Sequence, residues 1–456
     1  MSAAVGTACG RGLPLLAGDD PARVVAWRQG RPVDVAHFLA DVAGVAASLP
    51  EGRAAINLCE DRYAFVVAFC AALARGQGNL LPPSRMPRAV AEVLAANPAS
   101  YALSEGSGAA HRILLADGVA EGPPASPRVA PAQIAVVGYT SGSTGQPKAN
   151  PKSWRTLHAC TARNAQAIAA AMGLAPGTQG HIVASVPAQH MYGLEMSVLL
   201  PLLGPFAVSS RHPLFPADVA AALSELPAPR VLVTTPVHLR ALLRSGQPLP
   251  ALAAIVSATA PLAEELARDA ERVLGAPVLE LFGSTETCVI AQRRSAHGAH
   301  WQPYSGVQLR PQPDGTLVDA PWFDQPVLLP DVVELLPGGQ FGLRGRQVDL
   351  VEIAGKRASL ADLTRRVLAL AGVEDAVVFQ AEGADASGVR RIAALVVAPG
   401  RSEAELLAEL REAIDPAFLP RPLRTVAALP RNATGKLPRS ALLAALSAPA
   451  IHSGSP

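Results

Sequence analysis

Charge and aromatic rings are both scarce in this chain of 456 residues: charged residues make up 17% of it and aromatic ones 4%. Lys+Arg 39 against Asp+Glu 37 leaves a formal net charge of +2. That excludes a polycation binding nucleic acid over its whole surface. The cysteines (Cys9, Cys59, Cys70, Cys160, Cys288) are far apart, odd in number and without a C-x-x-C pair. Such usage argues against a disulfide framework or zinc site and for a reducing compartment. Long hydrophobic runs are missing too. The most apolar stretch, 196–208, is too short to span a bilayer and contains Pro201, Gly204 and Pro205, so it is expected in the core. No basic segment precedes the first apolar residues, so no secretory leader is read. The expectation is a cytoplasmic protein with no membrane span and no nucleic-acid partner.

What the chain does have is apolar bulk, 50% of its residues, enough for a large core. Residues 62–75 read as a buried helix capped by Asp61. Four short runs, 182–186, 231–233, 252–256 and 278–281, each break into a small or polar turn: PAQH, TTPVH, SATAP and FGSTE. Helical segments such as 262–274 lie between them. This is the pattern of an α/β fold with mostly parallel sheets flanked by helices, whose ligands bind outside the carboxyl ends of the strands. A Pro- and Ser-rich linker is expected at 120–131, and a second boundary near 345–349. Beyond it the pattern restarts, with helices at 360–370 and 403–414 and strands at 376–379 and 392–397. The expected organisation is an N-terminal domain (1–345), a hinge (346–349) and a small mobile α+β C-terminal domain (350–456).

The strongest local signal follows the apolar run 134–137. Thr140, Ser141, Gly142, Ser143, Thr144, Gly145 and Lys148 form a hydroxyl- and glycine-rich loop ending in a cation. Glycines let the backbone approach an anion, hydroxyls and N–H groups donate to phosphate oxygens, and Lys148 adds charge. A Walker A loop is excluded. Counting from Gly142, Pro147 stands where the second glycine belongs, and Ala149 stands where Ser or Thr would bind magnesium.

This loop resembles the phosphate loop of the acyl-adenylate-forming (AMP-binding) superfamily of acyl- and aryl-CoA ligases, and further motifs follow in that family's order. Pro187–Gly193, with His190 and Tyr192, resembles the carboxylate-pocket segment. Ser257, Ala258 and Thr259 stand at the family's adenine turn. Phe282-Gly283-Ser284-Thr285-Glu286 resembles its aromatic-Gly-x-Thr-Glu motif. Gly345–Asp349 resembles its hinge, and Pro430–Lys436 its C-terminal lysine motif.

The resemblance implies ATP-dependent activation of a small carboxylic acid, followed by transfer to a phosphopantetheine thiol on CoA or an acyl carrier protein. Lys436 is the implied adenylation residue, Thr285 an α-phosphate donor and Glu286 the Mg²⁺ ligand. Asp331 and Arg346 are implied ribose or phosphate contacts. His190, Met191, Tyr192, Gly193 and Glu195 form the implied substrate pocket, with Tyr192 or Glu195 able to bond a ring hydroxyl. The His-Met-Tyr-Gly-x-Glu segment and the reduced length look most like stand-alone aryl acid ligases of bacterial aryl-polyene or xanthomonadin-type pigment clusters. A small aromatic acid is therefore expected; the alternatives are a medium- or long-chain fatty acyl-CoA ligase and a non-catalytic adenylate-binding module. The chain departs from the family pattern at several positions. Leu329-Pro330 replace the usual Thr-Gly before Asp331, Val348 and Glu352 stand at hinge positions often charged otherwise, and Ala149–Trp154 lacks the usual Ser-His.

Overall fold

The computed structural model describes residues 12–83, 85–106, 111–115, 126–141, 147–175, 177–313, 315–346, 350–353, 356–384, 390–414, 416–432 and 435–448. The chain forms two compact bodies. One comprises 1–299 with 303–306 and 321–324; the other comprises 300–302, 307–320 and 325–456. This division falls earlier than the expected hinge. The meander Gln308–Gln312, Gly315–Asp319 and Val327–Leu329 packs on the hairpin Asp331–Leu335/Phe341–Arg346, so these strands cluster with the C-terminal segment. Residues 347–349 of the hinge and 120–125 of the linker lie outside the described residues.

The first body holds two sheets. In the larger, Val278–Ser284, Ala254–Ser257, Arg230–Thr234, Gly180–Ala184, Phe206–Ser209 and Val24–Arg28 lie side by side and parallel. Cys288–Arg293 pairs antiparallel beyond one end of this run and Arg31–Asp34 beyond the other. Central strands covered on both faces need uninterrupted apolar side chains, which is why Ile182–Ala184, Val231–Val233 and Ala254–Val256 are buried throughout. Helices Pro216–Ser224, Pro236–Ser245 and Glu264–Leu274 cover one face, packing Leu223, Leu239, Leu242, Ala267 and Ala270 on Val183, Leu232 and Ile255. The smaller sheet runs Pro147–Ser153, Ile134–Ser141, Gly78–Leu81, Ala54–Asn57, Ser100–Ser104, His111–Arg112. It too is parallel except for its first pair. The helix Arg62–Ala74 is buried almost all round and capped by Asp61, which accepts from Ala64 N at 2.8 Å.

In the second body, Asp375–Ala384 and Arg390–Val397 pair antiparallel, and Leu423–Thr425 adds in parallel. Period-two alternation splits the second of these strands between two cores. Ile392, Ala394 and Val396 face the helices Leu360–Leu368 and Glu403–Ala413, while Ala393, Leu395 and Val397 pack with Leu442 of Arg439–Ser447. Among the described residues no helix is long and apolar enough to cross a membrane.

Candidate active site

Four loops at the carboxyl ends of strands in the first body carry most of the residues singled out above. Ile134–Ser141 and Pro147–Ser153 form an antiparallel hairpin in which Thr140 stands opposite Lys148. The loop tip, with Gly142, Ser143, Thr144 and Gly145, lies outside the described residues, as do the side chain of Ser141 and all structure at 433–434. Asn150 ties the hairpin together, donating across it to Gly138 O at 3.3 Å.

The second loop follows Gly180–Ala184. Its Pro187–His190 turn enters a short helix, Met191–Leu194, which continues as a π-helical turn, Glu195–Leu199. The turn is tight: a Cβ on Gly193 would fall 1.9 Å from Pro187 O, so this position accepts glycine alone. Tyr192 is buried, and its hydroxyl lies 2.9 Å from Val256 O and 3.1 Å from Thr234 O. Its single proton therefore anchors the turn to the neighbouring strand ends instead of pointing to a ligand. Glu195 is buried as well, accepting from Asn164 Nδ2 at 3.1 Å and Val289 N at 3.2 Å.

The third loop, Thr285–Thr287, joins the antiparallel strands Val278–Ser284 and Cys288–Arg293. Ser284 Oγ accepts from Glu286 N at 3.2 Å and Thr287 N at 3.3 Å, so the turn is held by its own hydroxyl. Cys288 leaves it with φ +62°. The fourth loop follows Ala254–Ser257. There Ser257 Oγ is buried with no hydrogen-bond partner, Ala258 is buried, and the exposed Thr259 has φ +79°. Non-glycine residues in the left-handed region are strained; Thr259 is itself expected at the adenine, and Cys288 follows the Thr285–Thr287 turn. Glu280 supports this edge, accepting from Leu262 N at 3.2 Å and Arg293 Nε at 2.7 Å.

A small, solvent-open pocket lies where three of these loops meet. Gly138 and Tyr139 come from the hairpin, Gln189, His190 and Met191 from the second loop, and Thr285 from the third; Leu81 and Pro82 complete the lining. Of the five expected substrate-pocket residues, His190 and Met191 line this space, whereas Tyr192 and Glu195 spend their polar atoms on protein partners. Gly138, Gln189, Leu81 and Pro82 were not singled out in the sequence. Gly138 carried a usable signal, a glycine leading into the hydroxyl-rich loop: a Cβ there would lie 2.6 Å from Thr285 Cγ2. Leu81 and Pro82 end an ordinary buried strand and carry none.

In the second body, Asp331 and Arg346 are register partners across an antiparallel hairpin, and Thr316 Oγ1 donates to Asp331 O at 2.7 Å. Lys436 is exposed at the end of a loop closed on itself. Asn432 N donates to Lys436 O at 2.8 Å, and Lys436 N donates back to Asn432 Oδ1 at 2.9 Å. Arg431 grips Gly435 O at 2.9 Å while forming a two-pronged ion pair with Asp375 at 2.9–3.1 Å.

Burial sets the electrostatics of the first body. It pushes Glu195 up to about 7, against the pull of the Val289 and Asn164 hydrogen bonds and the Lys152 charge. It lowers Arg62 to about 10; that guanidinium donates to Ala184 O at 2.9 Å, Val186 O at 3.0 Å and the Ser197 hydroxyl. Among the described residues no group of three or more His, Cys, Asp or Glu is placed to hold a metal ion.

Comparison with known proteins gives a consistent picture. Residues 44–320 match the model of the family described as AMP-binding enzyme. A 4-coumarate–CoA ligase of Halorhodospira halophila is 31% identical over 328 residues, covering 65% of this chain and 73% of that protein. An amide bond synthetase from Marinactinospora thermotolerans shares the fold with a TM-score of 0.76 at 20% identity, over 93% of this chain and 97% of that one. The o-succinylbenzoate coenzyme A synthetase of Bacillus subtilis, solved with ATP and magnesium ion, also aligns with a TM-score of 0.76 at 19% identity, over 91% and 96%.

Proposed function

This chain belongs to the AMP-binding enzyme family, the acyl-adenylate-forming ligases, and from that premise we propose that it activates a small aromatic carboxylic acid with ATP and passes the acyl group to a phosphopantetheine thiol. The observation that supports this reading is the pocket in which Tyr139, His190, Met191 and Thr285 converge beside the phosphate-loop hairpin. In the first half-reaction a carboxylate oxygen bonds to the α-phosphorus and the bond to the bridging oxygen breaks, releasing pyrophosphate. In the second, a thiol sulfur bonds to the acyl carbon, AMP leaves, and the thiol proton goes to solvent.

The acid is already ionised at neutral pH, so the first step needs alignment and charge neutralisation, not a strong base. Thr140 to Gly145 and Lys148 cradle the phosphates, and Thr285 donates to the α-phosphate. Ser257, Ala258 and Thr259, with Phe282, Gly283 and Ser284, frame the adenine; Asp331 and Arg346 take the ribose. Lys436 neutralises charge at the reacting phosphate. His190 and Met191 wall the acyl pocket.

A magnesium ion fits the donor set. Mg²⁺ delivered on a triphosphate needs one or two carboxylates and keeps its waters, and Glu286 offers one partly exposed carboxylate on the turn that presents Thr285. When bound, the ion would neutralise phosphate charge. The aromatic preference is supported by a 4-coumarate–CoA ligase among the relatives and by a flat, sulfur-containing wall at Tyr139 and Met191. The acceptor is CoA or a carrier protein, and the cytoplasm is the proposed site of action. Pyrophosphate exchange into ATP over a carboxylate panel, followed by addition of CoA or a phosphopantetheinylated carrier protein, tests both halves. No thioester with either acceptor would refute the transfer step.

A further inference from the structure

A buried polar network joins the segments that carry the pocket, and the chemistry proposed above makes no use of it. Lys152 lies on the strand leaving the phosphate loop, Asn164 in the helix Trp154–Met172, and Glu195 at the head of the π-helical turn. Glu195 is 2% exposed, Lys152 8% and Asn164 0%. The Glu195 carboxylate receives Asn164 Nδ2 and the main-chain N–H of Val289, which stands just beyond the Thr285–Thr287 turn. Tyr304 closes the far side, donating to Asn164 Oδ1 at 2.9 Å. Lys152 reaches Pro151 O at 3.4 Å, and its charge acts on both Glu195 and Cys288.

We propose that Glu195 is a positioning residue for adenylation: its buried carboxylate holds Val289, and with it the Thr285–Glu286 turn, against Asn164 of the helix that follows the phosphate-loop hairpin, with the buried cation of Lys152 acting on it through space. The proposal rests on the adenylation reading above. A carboxylate taken out of water is expensive unless it is hydrogen-bonded and paired, so an unused one buried here would be a net cost. Charge-assisted bonds are roughly twice as strong as neutral ones, and the ionised form alone attracts Lys152. The other titratable groups facing Glu195 are Cys160 from the helix, Cys288 from the turn and Tyr304. Cys288 is pushed well up by its hydrogen bond with Cys160 and by burial, and Tyr304 is pushed well up by burial, so Glu195 and Lys152 carry the charge of the network. Burial places the protonation of Glu195 near 7, so the grip on Val289 loosens as the medium becomes acid. A π-helical turn, uncommon in helices and frequent at functional sites, is the local distortion that puts Glu195 there.

The test compares wild type with Glu195→Gln, Lys152→Met and the double variant in acid-dependent ATP–pyrophosphate exchange across about pH 5.5 to 9. AMP affinity by calorimetry and thermal unfolding accompany it. Wild-type exchange should rise with pH around a midpoint near 7. Glu195→Gln should lose that limb and run about tenfold slower at alkaline pH, because Lys152 keeps its charge without a counter-charge; the double variant should recover to within about threefold. AMP affinity should follow the same order. Glu195→Gln with the wild-type profile and rate overturns the proposal, as does a double variant no better than the singles. Equal losses of melting temperature in all three, with the pH midpoint unmoved, would mean a merely structural role and also overturn it. If wild type exchanges with no acid at all, the adenylation reading fails, and AMP affinity still decides whether the network positions the nucleotide site.

Discussion

Lys436 is exposed, while Asn432 and Arg431 hold the backbone at Lys436 and Gly435, which suits the proposed role in adenylation. Replacing it with alanine should lower adenylation by about 10²–10³, as expected for loss of a transition-state electrostatic stabiliser. Transfer from preformed acyl-adenylate should be nearly unchanged; rapid-quench assays of the two half-reactions check this, and equal loss in both would contradict it. Glu286→Gln keeps shape and an oxygen but removes the charge a hard cation prefers. The magnesium concentration for half-maximal exchange should rise several-fold, with little change in melting temperature. Glu195 gives a pH prediction with a definite sign. Its pKa is about 7 in the fold against an ordinary 4.5, so folding takes up a proton between those values. Stability from this group is present below about 4.5 and lost as pH rises through 7, by about 3 kcal/mol in total. The stability difference between pH 4.5 and 7, from urea unfolding, should be smaller by about that amount in Glu195→Gln, and an unchanged slope would refute the assignment.

Among the elements, the lysine loop is pinned to the strand Asp375–Ala384 through the Asp375–Arg431 pair, whose side chains are 18–20% exposed. Asp375→Asn should slow adenylation about tenfold through the loop while sparing thioester formation. The two half-reactions measured separately decide this, and parallel losses would contradict it. Gly138 lies where the hairpin meets the third loop: a Cβ 2.6 Å from Thr285 Cγ2 must shift the Thr285 side chain. Gly138→Ala should weaken AMP binding about tenfold by calorimetry, an overpacking cost of about 1–3 kcal/mol; unchanged affinity would show that the turn yields freely. The strand ends bearing these loops were legible in the sequence because buried parallel strands leave unbroken apolar runs that stop at polar turns. Most boundaries moved by one to three residues; the start at 252, for example, moved to Ala254, since pairing with the neighbouring strand begins opposite Val231 even though Leu252 is buried. The partners of Tyr192 and Glu195 were not legible. Main-chain groups of Thr234, Val256 and Val289 receive them, and a main-chain partner 42 to 94 residues away leaves no mark in the side-chain pattern.

For the molecule as a whole, the proposed substrate class can be read in kcat/KM for benzoate, 3- and 4-hydroxybenzoate, cinnamate, octanoate and palmitate. A small aryl acid should lead. Discrimination between benzoate and its hydroxylated analogues should stay within the roughly 10–200-fold that one methylene-sized change gives in an apolar slot, because the Tyr192 hydroxyl and the Glu195 carboxylate are engaged with protein partners. If octanoate or palmitate equals the best aryl acid, a fatty acyl ligase replaces the aryl reading. Incorporation of labelled pyrophosphate into ATP in the presence of each acid decides whether these loops form an adenylating site. Exchange should depend on the acid and on magnesium and fall by about 10²–10³ in Lys436→Ala. Exchange that is absent with every carboxylate, while AMP still binds, would contradict that assignment and leave a nucleotide-binding module in its place.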